Sequence, residues 1–426
     1  MRRENTLEIP TYSGDWNDWW ADGVGSTPAP TKIYKDAQRK YNLCYKLDPE
    51  EKLGETEWIK AAEQQMMMYA EHTWGYSSSV SEPWNTLVND LDYRKAAYAV
   101  NANRLISKNL DEILSKKGEV SLQPDRDKLY KIMNPHDNPV TDRVIVYVEG
   151  WENIEGRRII HNLERPLEVI DIESGNLMEC QVEMTARALE IAFVIHLEAK
   201  EERIVKVRWS EKASKVLTTQ HHAYKGAEGV EDIAPYSKDT LGNNVHGIST
   251  KFYTILFDHV HGIKSIKDRK NNKELIHPNS IYAPFIGIYE KTDIRTTPNE
   301  VRRKMGRNRK GRITNRHSSM LKNIELLMDG PVYVSLKMDY KLEGTKLYSL
   351  LIKVYKELPK IECKVRVHKQ SEWAPENLIY LVTFHFRHEY GIICGKDGSC
   401  VSTSYRSITW NEYGILFTPK WLDFFR

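Results

Sequence analysis

Two segments near the start of the chain hold the residue types best suited to ligand binding or catalysis. The first is rich in Trp and Gly and places Trp16, Trp19 and Trp20 within five positions, and the second brings His72 and Trp74 together. A neutral imidazole is a common metal ligand, and an indole offers a flat apolar face that suits a sugar surface. Each also has a plainer interpretation, because the imidazole can cap a helix end and the indoles can pack the loop onto neighbouring elements.

Carboxylates accompany both segments. Asp15, Asp18 and Asp22 lie in the Gly-rich stretch and form a cluster of the kind used in acid–base catalysis. Asp in such loops more often accepts hydrogen bonds from nearby backbone amides, and that interpretation is favoured here. Glu71 precedes His72, where it is interpreted either as a hydrogen-bonding support for the imidazole or as an exposed residue at a helix end.

The remaining histidine pairs and the basic run are interpreted as structural. The basic residues from Arg302 to Arg316 have no interleaved aromatic side chains, which favours a solvated loop or a subunit contact over a nucleic-acid interface. The histidine pairs lie in predicted strands or turns and lack a companion Cys or Asp at the spacing of a metal site. These pairs are His221 with His222, His259 with His261, and His385 with His388.

The elements that must position the first two segments begin with helices. Apolar periodicity predicts helices over Asp36–Leu47, Thr56–Ala70 and Asp90–Lys116, with Gly118 at the position of a C-terminal cap. Three amphipathic helices favour a bundle. The apolar stripe predicted for the third helix consists of Tyr93, Ala97, Val100, Leu105, Leu110, Ile113 and Leu114.

From about residue 119 the hydrophobic period changes to two, which is typical of strands. Turn signals such as Asn134-Pro135 and Asp329-Gly330 separate the apolar runs. So long a region of this kind predicts large antiparallel sheets packed as a sandwich. The clearest predicted strands cover residues 143–148, 202–209, 251–257, 331–337 and 361–367.

The composition is that of an ordinary globular protein. The chain has 426 residues, with 62 basic and 59 acidic side chains and a net charge of +3, which indicates no global bias towards nucleic acid or membrane. Five scattered cysteines favour a reducing compartment over a disulfide framework. The first residues lack the apolar stretch of a signal peptide, and no run approaches the roughly 20 apolar residues of a membrane helix. We therefore expect a cytoplasmic location.

Five segments, in order, resemble glycoside hydrolase family 38, the α-mannosidase type. Asp15–Trp20 and the Gly-rich residues after it are similar to the family's Trp-rich active-site loop. Glu71–Gly75 is similar to the loop of the helical domain that presents a metal-binding histidine. Asn134-Pro135, Phe252–Leu275 and Trp373–Tyr380 resemble segments of the family's β region. The resemblance covers nearly all of the chain.

The resemblance implies an α+β multidomain fold. Residues 1–30 are expected to form the end of a catalytic barrel that carries the Trp-rich loop. Residues 31–118 are expected to form a three-helix bundle, the middle domain. Residues 119–426 are expected to form a large antiparallel β-sandwich of the galactose-mutarotase-like supersandwich type.

The resemblance also implies a zinc-dependent retaining glycosidase that cleaves α-mannosidic linkages in mannose-containing glycans. In the family, two Asp and two His bind the zinc, which holds the 2- and 3-hydroxyls of the sugar. His72 is thereby expected to bind zinc or another divalent metal, although Thr73 stands where better-known members have Asp. The residues expected to contact the substrate are Trp20, as an aromatic wall, together with Trp19, Trp74 and Asp15.

The family's first pair of zinc ligands has no counterpart in this sequence. That pair is His-x-Asp, and none of the 14 histidines is followed two positions later by Asp. Retaining hydrolysis requires two carboxylates, and the nucleophile is expected upstream. The chain is therefore expected to begin within the barrel, to be inactive alone, and to be completed by a complementing catalytic chain or in an oligomer. The alternative is a carbohydrate-binding or assembly module without catalysis.

Overall fold

The structure is a computed structural model with an α+β fold, in which three helices are followed by strands grouped into several sheets. Among the described residues, no helix is long and apolar enough to cross a membrane. The residues that the structure describes are 27–71, 82, 84–118, 127–162, 165–185, 188–210, 223–224, 246–258, 260, 262–278, 280–291, 314–370, 372, 376–380 and 423–424.

The helices begin where the local sequence supplies a suitable first turn. They are α1 (Pro28–Leu47), α2 (Thr56–Ala70) and α3 (Thr86–Lys117). The prediction for α2 is confirmed, whereas α1 begins before the predicted Asp36. Pro28 and Pro30 lie in its first turn, where backbone N–H groups have no partner within the helix, so the missing donor of proline is tolerated. At the start of α3, the Asn85 side chain accepts a hydrogen bond of 2.9 Å from the Leu87 N–H.

The buried face of α3 differs from the predicted apolar stripe. Tyr93, Val100 and Leu114 are 66%, 47% and 38% exposed, so the prediction was wrong for these residues. It failed because two inward positions hold polar side chains, Lys95 and Asn109, that bond to the other helices. The residues that α3 buries are Val88, Lys95, Ala99, Ala102, Ile106, Asn109 and Ile113.

Polar groups fix the connection between α1 and α2. The Asp48 carboxylate follows α1 and accepts hydrogen bonds from the backbone N–H groups of residues 52, 53 and 54. Asn109 of α3 is fully buried, and its Oδ1 accepts a hydrogen bond of 2.7 Å from the Glu55 N–H. A Cβ at Gly54 would lie 2.6 Å from the same oxygen, so this position requires a glycine for close approach. The connection is therefore held at one end of the bundle.

The β region begins after α3. Its strands are β1 (Lys128–Met133), β2 (Val140–Glu149), β3 (Asn153–Ile154), β4 (Arg157–Arg158), β5 (Leu167–Asp171), β6 (Leu177–Met178), β7 (Cys180–Met184), β8 (Ala188–Leu197), β9 (Glu202–Trp209), β10 (Ala223–Tyr224), β11 (Gly247–Ser249), β12 (Tyr253–Asp258), β13 (Gly262–Asp268), β14 (Lys273–Glu274), β15 (Gly287–Lys291), β16 (Asn315–Ser318), β17 (Met320–Asp329), β18 (Tyr333–Lys341), β19 (Thr345–Tyr355), β20 (Ile361–Lys369), β21 (Glu376–Tyr380) and β22 (Asp423–Phe424).

These strands form sheets that share two main apolar cores. The sheet β1-β9-β5-β6 and the sheet β2-β8-β7 enclose one core, and the sheets β10-β11-β12-β13-β14 and β17-β18-β19-β20-β22 enclose a larger one. A further sheet, β16-β15-β21, and the hairpin β3-β4 complete the arrangement of the described strands. The strand prediction for residues 202–209 is confirmed by β9, and the turn predicted at Asp329-Gly330 separates β17 from β18. The specific sandwich type stays a prediction.

A joint of polar side chains connects the two β units. Gln181 of β7 is buried, and its Oε1 accepts hydrogen bonds from the backbone N–H groups of Val332 (3.1 Å) and Tyr333 (2.9 Å). Arg143 of β2 lies 3.3 Å from the Glu362 carboxylate of β20. Because these polar groups are removed from water, each needs its partner across the joint. The joint thus specifies how the units sit against each other.

The bundle contacts the first β unit through lysines at the end where α1 and α3 finish. Lys46 Nζ, near the end of α1, lies 3.0 Å from His136 Nδ1. Lys131 Nζ of β1 donates a hydrogen bond of 2.9 Å to the Lys117 carbonyl, at the last residue of α3. The opposite end of the bundle, where α2 finishes, therefore points away from this β unit.

Candidate functional site

The residues that the sequence singles out for function lie outside the described part of the chain, and their roles stay predictions. The structure describes the positions at which the two segments join the bundle. The Trp-rich segment enters α1 through Thr27, and the segment with the histidine leaves α2 through Glu71. The singled-out residues are Asp15, Trp19, Trp20, His72 and Trp74.

Lys95 of α3 holds the end of α2. Its Nζ donates hydrogen bonds to the carbonyl oxygens of Met68 (2.9 Å) and Glu71 (3.0 Å) and to Glu71 Oε2 (3.2 Å). The Lys95 side chain is only 9% exposed. An ammonium group has three N–H donors, and three oxygens surround this one. The last turn of α2 and the residue that follows it are therefore tied to α3.

This ammonium group explains why α2 ends at Ala70 without a Gly or Pro signal. The last carbonyl groups of a helix have no partner within it, and a cation near them is favoured by the helix dipole. Lys95 supplies both the donors and the charge from a neighbouring helix. Glu71 then adopts an extended backbone, with φ −56° and ψ 143°, so the chain turns away from the helix axis.

A hydroxyl cluster joins the start of α1 to the end of α2. Tyr69 is fully buried, and its OH lies 2.8 Å from Thr31 Oγ1 and 3.3 Å from Thr27 Oγ1. Thr31 Oγ1 also donates a hydrogen bond of 2.7 Å to the Thr27 carbonyl. The Tyr34 ring packs on that of Tyr69 with centroids 5.1 Å apart. Thr27 is thereby fixed against the last turn of α2.

The two functional segments therefore meet the bundle at the same end. Tyr69, which contacts Thr27, is only two residues before Glu71, which Lys95 holds. No local pattern in the sequence indicates this arrangement, since the two segments are about 50 residues apart along the chain.

A second amine lies close to the hydroxyl cluster. Burial, together with the smaller effect of the positive charge of Arg39, lowers the pKa of Lys35 to about 8. Lys35 Nζ donates a hydrogen bond of 3.0 Å to Gln38 Oε1 and lies 5.4 Å from the centre of the Tyr34 ring. The Lys35 amine therefore changes charge at mildly alkaline pH, and it lies on α1 near the end of the bundle where α2 finishes.

The described residues do not form a metal site on their own. Within them, no group of three or more His, Cys, Asp or Glu side chains is placed to hold an ion. One oxygen of Glu71, the carboxylate next to His72 in sequence, contacts Lys95. That contact gives Glu71 a part in holding the helix end, and its predicted role as support for the histidine stays a prediction. A metal bound here would need ligands beyond the described residues.

The described cysteines are not suited to catalysis or metal binding. Cys44, Cys180 and Cys363 are free thiols. Burial raises the pKa of Cys180 to about 11 and raises the pKa values of the other two. Because the thiolate is the nucleophile and the metal ligand, a raised pKa keeps these groups inert at neutral pH.

Sequence reasoning missed Lys95, although the spacing of α3 contains a signal for it. Val88, Lys95, Ala102 and Asn109 follow one another at seven-residue intervals on the buried face. A seven-residue repeat marks the seam along which a helix packs, and a polar residue in such a seam specifies register. The lysine was passed over because the search for a stripe considered apolar residues alone.

Comparisons with known proteins gave matches among solved structures. No family model and no curated protein matches the sequence. A glycosyl hydrolase family 38 protein from Enterococcus faecalis is similar with 11% identity and a TM-score of 0.48, over 88% of this chain and 46% of that chain. An alpha-mannosidase from Enterococcus faecalis V583 is similar with 12% identity and a TM-score of 0.48, over 85% of this chain and 43% of that chain. The chain spans less than half the length of either.

Proposed function

We propose that this chain supplies the middle helical bundle and the β region of a glycoside hydrolase of the α-mannosidase type. The reaction is cleavage of α-mannosidic linkages in glycans. The observation that carries the proposal is the junction at Tyr69 and Lys95, where the Trp-rich segment and the histidine segment join the same end of the bundle. A sugar site built from an aromatic wall and a metal ligand requires this convergence.

The roles at the site follow from the chemistry of each side chain. Trp20, with Trp19 and Trp74, packs against the apolar face of the sugar. His72 holds zinc or another divalent ion, which when bound orients the hydroxyl groups of the sugar. Asp15 accepts hydrogen bonds from a sugar hydroxyl. The described bundle residues set where these two segments begin and which way they leave.

The proposal includes groups that this sequence does not contain. None of the 14 histidines belongs to a His-x-Asp pair, and a lone imidazole binds zinc only weakly. A retaining glycosidase also requires a nucleophile and an acid–base carboxylate about 5–5.5 Å apart. These groups are supplied by residues outside the 426, in a complementing chain or an oligomer. The β region of the proposed enzyme is of the supersandwich type.

Metal binding tests the proposal most directly. Zinc titrations of the wild-type chain and of His72→Ala are compared, with His196→Ala as the control because His196 is an exposed strand residue bonded to Glu198. We expect weak zinc binding that His72→Ala abolishes and His196→Ala retains. Addition of a chain that carries the His-x-Asp pair is expected to raise the zinc affinity. If the wild type and His72→Ala give equal zinc-binding isotherms, the proposed metal-binding role of His72 is wrong.

Turnover measurements separate the proposal from its alternative. With zinc present, the 426-residue chain alone is expected to leave an aryl α-mannoside intact. Hydrolysis by the chain alone would contradict the proposed need for outside groups. Mannose binding that does not depend on metal or on His72 would favour a carbohydrate-binding module without catalysis.

A further inference from the structure

The contact between Lys95 and the end of α2 reaches beyond capping. The Lys95 ammonium binds the Glu71 carbonyl at 3.0 Å, and this oxygen belongs to the peptide bond that joins residue 71 to residue 72. A peptide unit is planar, so the place of its oxygen restricts the direction in which the chain continues. The Glu71 carboxylate at 3.2 Å and the Met68 carbonyl at 2.9 Å hold the ammonium itself in place.

We propose that Lys95 is the positioning residue of the histidine segment: it fixes the direction in which the chain leaves α2 at Glu71, the residue before His72. The inference rests on the proposed function for the role of His72, whereas the fixing of the chain direction stands on Lys95, Met68 and Glu71 alone. The carbonyls of Met68 and Glu71 both belong to the last four of the helix, because the Glu71 N–H still bonds to the Met67 carbonyl. The bond to the Glu71 carboxylate is additional to capping, and it ties the residue after Ala70 to α3.

The geometry explains why this residue is a lysine. A compact ammonium group on a flexible stem satisfies three oxygens that are not coplanar, whereas the planar guanidinium of arginine suits a carboxylate pair. Because the Lys95 side chain is only 9% exposed, its charge is stabilised mainly by protein oxygens and little by water. Removal of the amine therefore takes its N–H donors away from the carbonyls of Met68 and Glu71 in a place of limited hydration.

Hydrogen exchange tests the fixing of the chain without reference to metal. Lys95→Met keeps the stem and removes the donors, and Lys95→Arg keeps the charge. The matched control is Lys40→Met, because Lys40 also joins two helices, bonding to Asn103 at 3.1 Å and Ser107 at 2.8 Å. We expect amides of residues 69–71 to exchange at least tenfold faster in Lys95→Met, less than threefold faster in Lys40→Met, and at an intermediate rate in Lys95→Arg.

Zinc affinity adds a readout that a purely structural lysine would not change. The affinity that depends on His72, measured as wild type against His72→Ala, is expected to fall about 10–100-fold in Lys95→Met, as for other residues that orient a ligand. Lys40→Met is expected to leave it unchanged. An unchanged exchange rate at residues 69–71, or an equal rise over the whole bundle, overturns the proposal. If the wild type shows no His72-dependent zinc binding, the proposed function fails, and the exchange rates still decide the role of Lys95.

Discussion

The hydroxyl group of Tyr69 is the most direct point at which to test the convergence of the two segments. Tyr69→Phe keeps the buried ring and its packing on Tyr34, 5.1 Å away between centroids, and removes only the OH. That OH bonds to Thr31 Oγ1 at 2.8 Å and is the link between the end of α2 and Thr27. The substitution therefore loosens one junction with little change in volume.

The size of the effect follows from the bonds that are lost. The 2.8 Å contact with Thr31 is a good hydrogen bond, whereas the contacts of 3.3 Å and 3.4 Å with Thr27 are long. Thr31 keeps its 2.7 Å bond to the Thr27 carbonyl, so its donor stays satisfied. One net hydrogen bond is worth about 1–1.5 kcal/mol, which is roughly a 5–13-fold rise in local opening.

Native-state hydrogen exchange measures this opening in the bundle itself, which suits a chain with more than one structural unit. Amides of residues 27–35 and 64–71 are expected to exchange about 5–13-fold faster in Tyr69→Phe. Tyr34→Phe is the matched control, since the Tyr34 OH accepts a hydrogen bond of 2.8 Å from Gln38 within α1. Equal changes in the two variants, or no change at residues 27–31, would refute the reasoning.

Three further predictions concern other parts of the structure. Gly54→Ala places a Cβ 2.6 Å from Asn109 Oδ1, so urea unfolding is expected to show a loss of about 1–3 kcal/mol, and less than additive loss when combined with Asn109→Ala. Gly330→Ala places a Cβ 2.2 Å from the Gln181 carboxamide and displaces the carboxamide from two backbone N–H groups. The free energy of unfolding is expected to fall by about 2–4 kcal/mol, and by less when Gln181 is already replaced by Ala. The Lys35 pKa is lowered to about 8, below its unfolded value, so the unfolded state binds more protons between about pH 8 and 10.5, and stability is expected to rise with pH across that window. Lys35→Met should flatten this rise in urea midpoints, and an unchanged slope would contradict it.

Much of the course of the chain could be predicted from local patterns. The α2 range and the strand at residues 202–209 were predicted with the bounds that the structure has, because apolar periods of 3.6 and two are direct consequences of one buried face. Gly118 was predicted as the C-terminal cap of α3, and its N–H bonds to the Leu114 carbonyl at 3.0 Å. Local signals of this kind depend on residues close together in sequence.

The junction at the end of α2 could not be predicted in that way. Lys95 acts on a carbonyl 24 positions before it, and Tyr69 on a hydroxyl group 42 positions before it. Such contacts follow from the register of the helices, which the sequence expresses only as a seven-residue repeat that includes polar residues. The same cause produced the error in the α3 stripe, where Tyr93 was expected to be buried and Lys95 was not considered.

The polar joint between the β units has a consequence for synthesis of the chain. Arg143 and Glu362 are 219 residues apart, so at about 5–20 residues per second the first β unit emerges roughly 10–45 s before its partner strand. During that interval the guanidinium of Arg143 and the carboxamide of Gln181 can bind water, although Ala192 of the same face later joins an apolar cluster with Val332 and Tyr333. The hydrated polar groups interrupt this apolar surface, and a wholly apolar face would expose nascent chains on one polysome to association with each other before the partner strand is made.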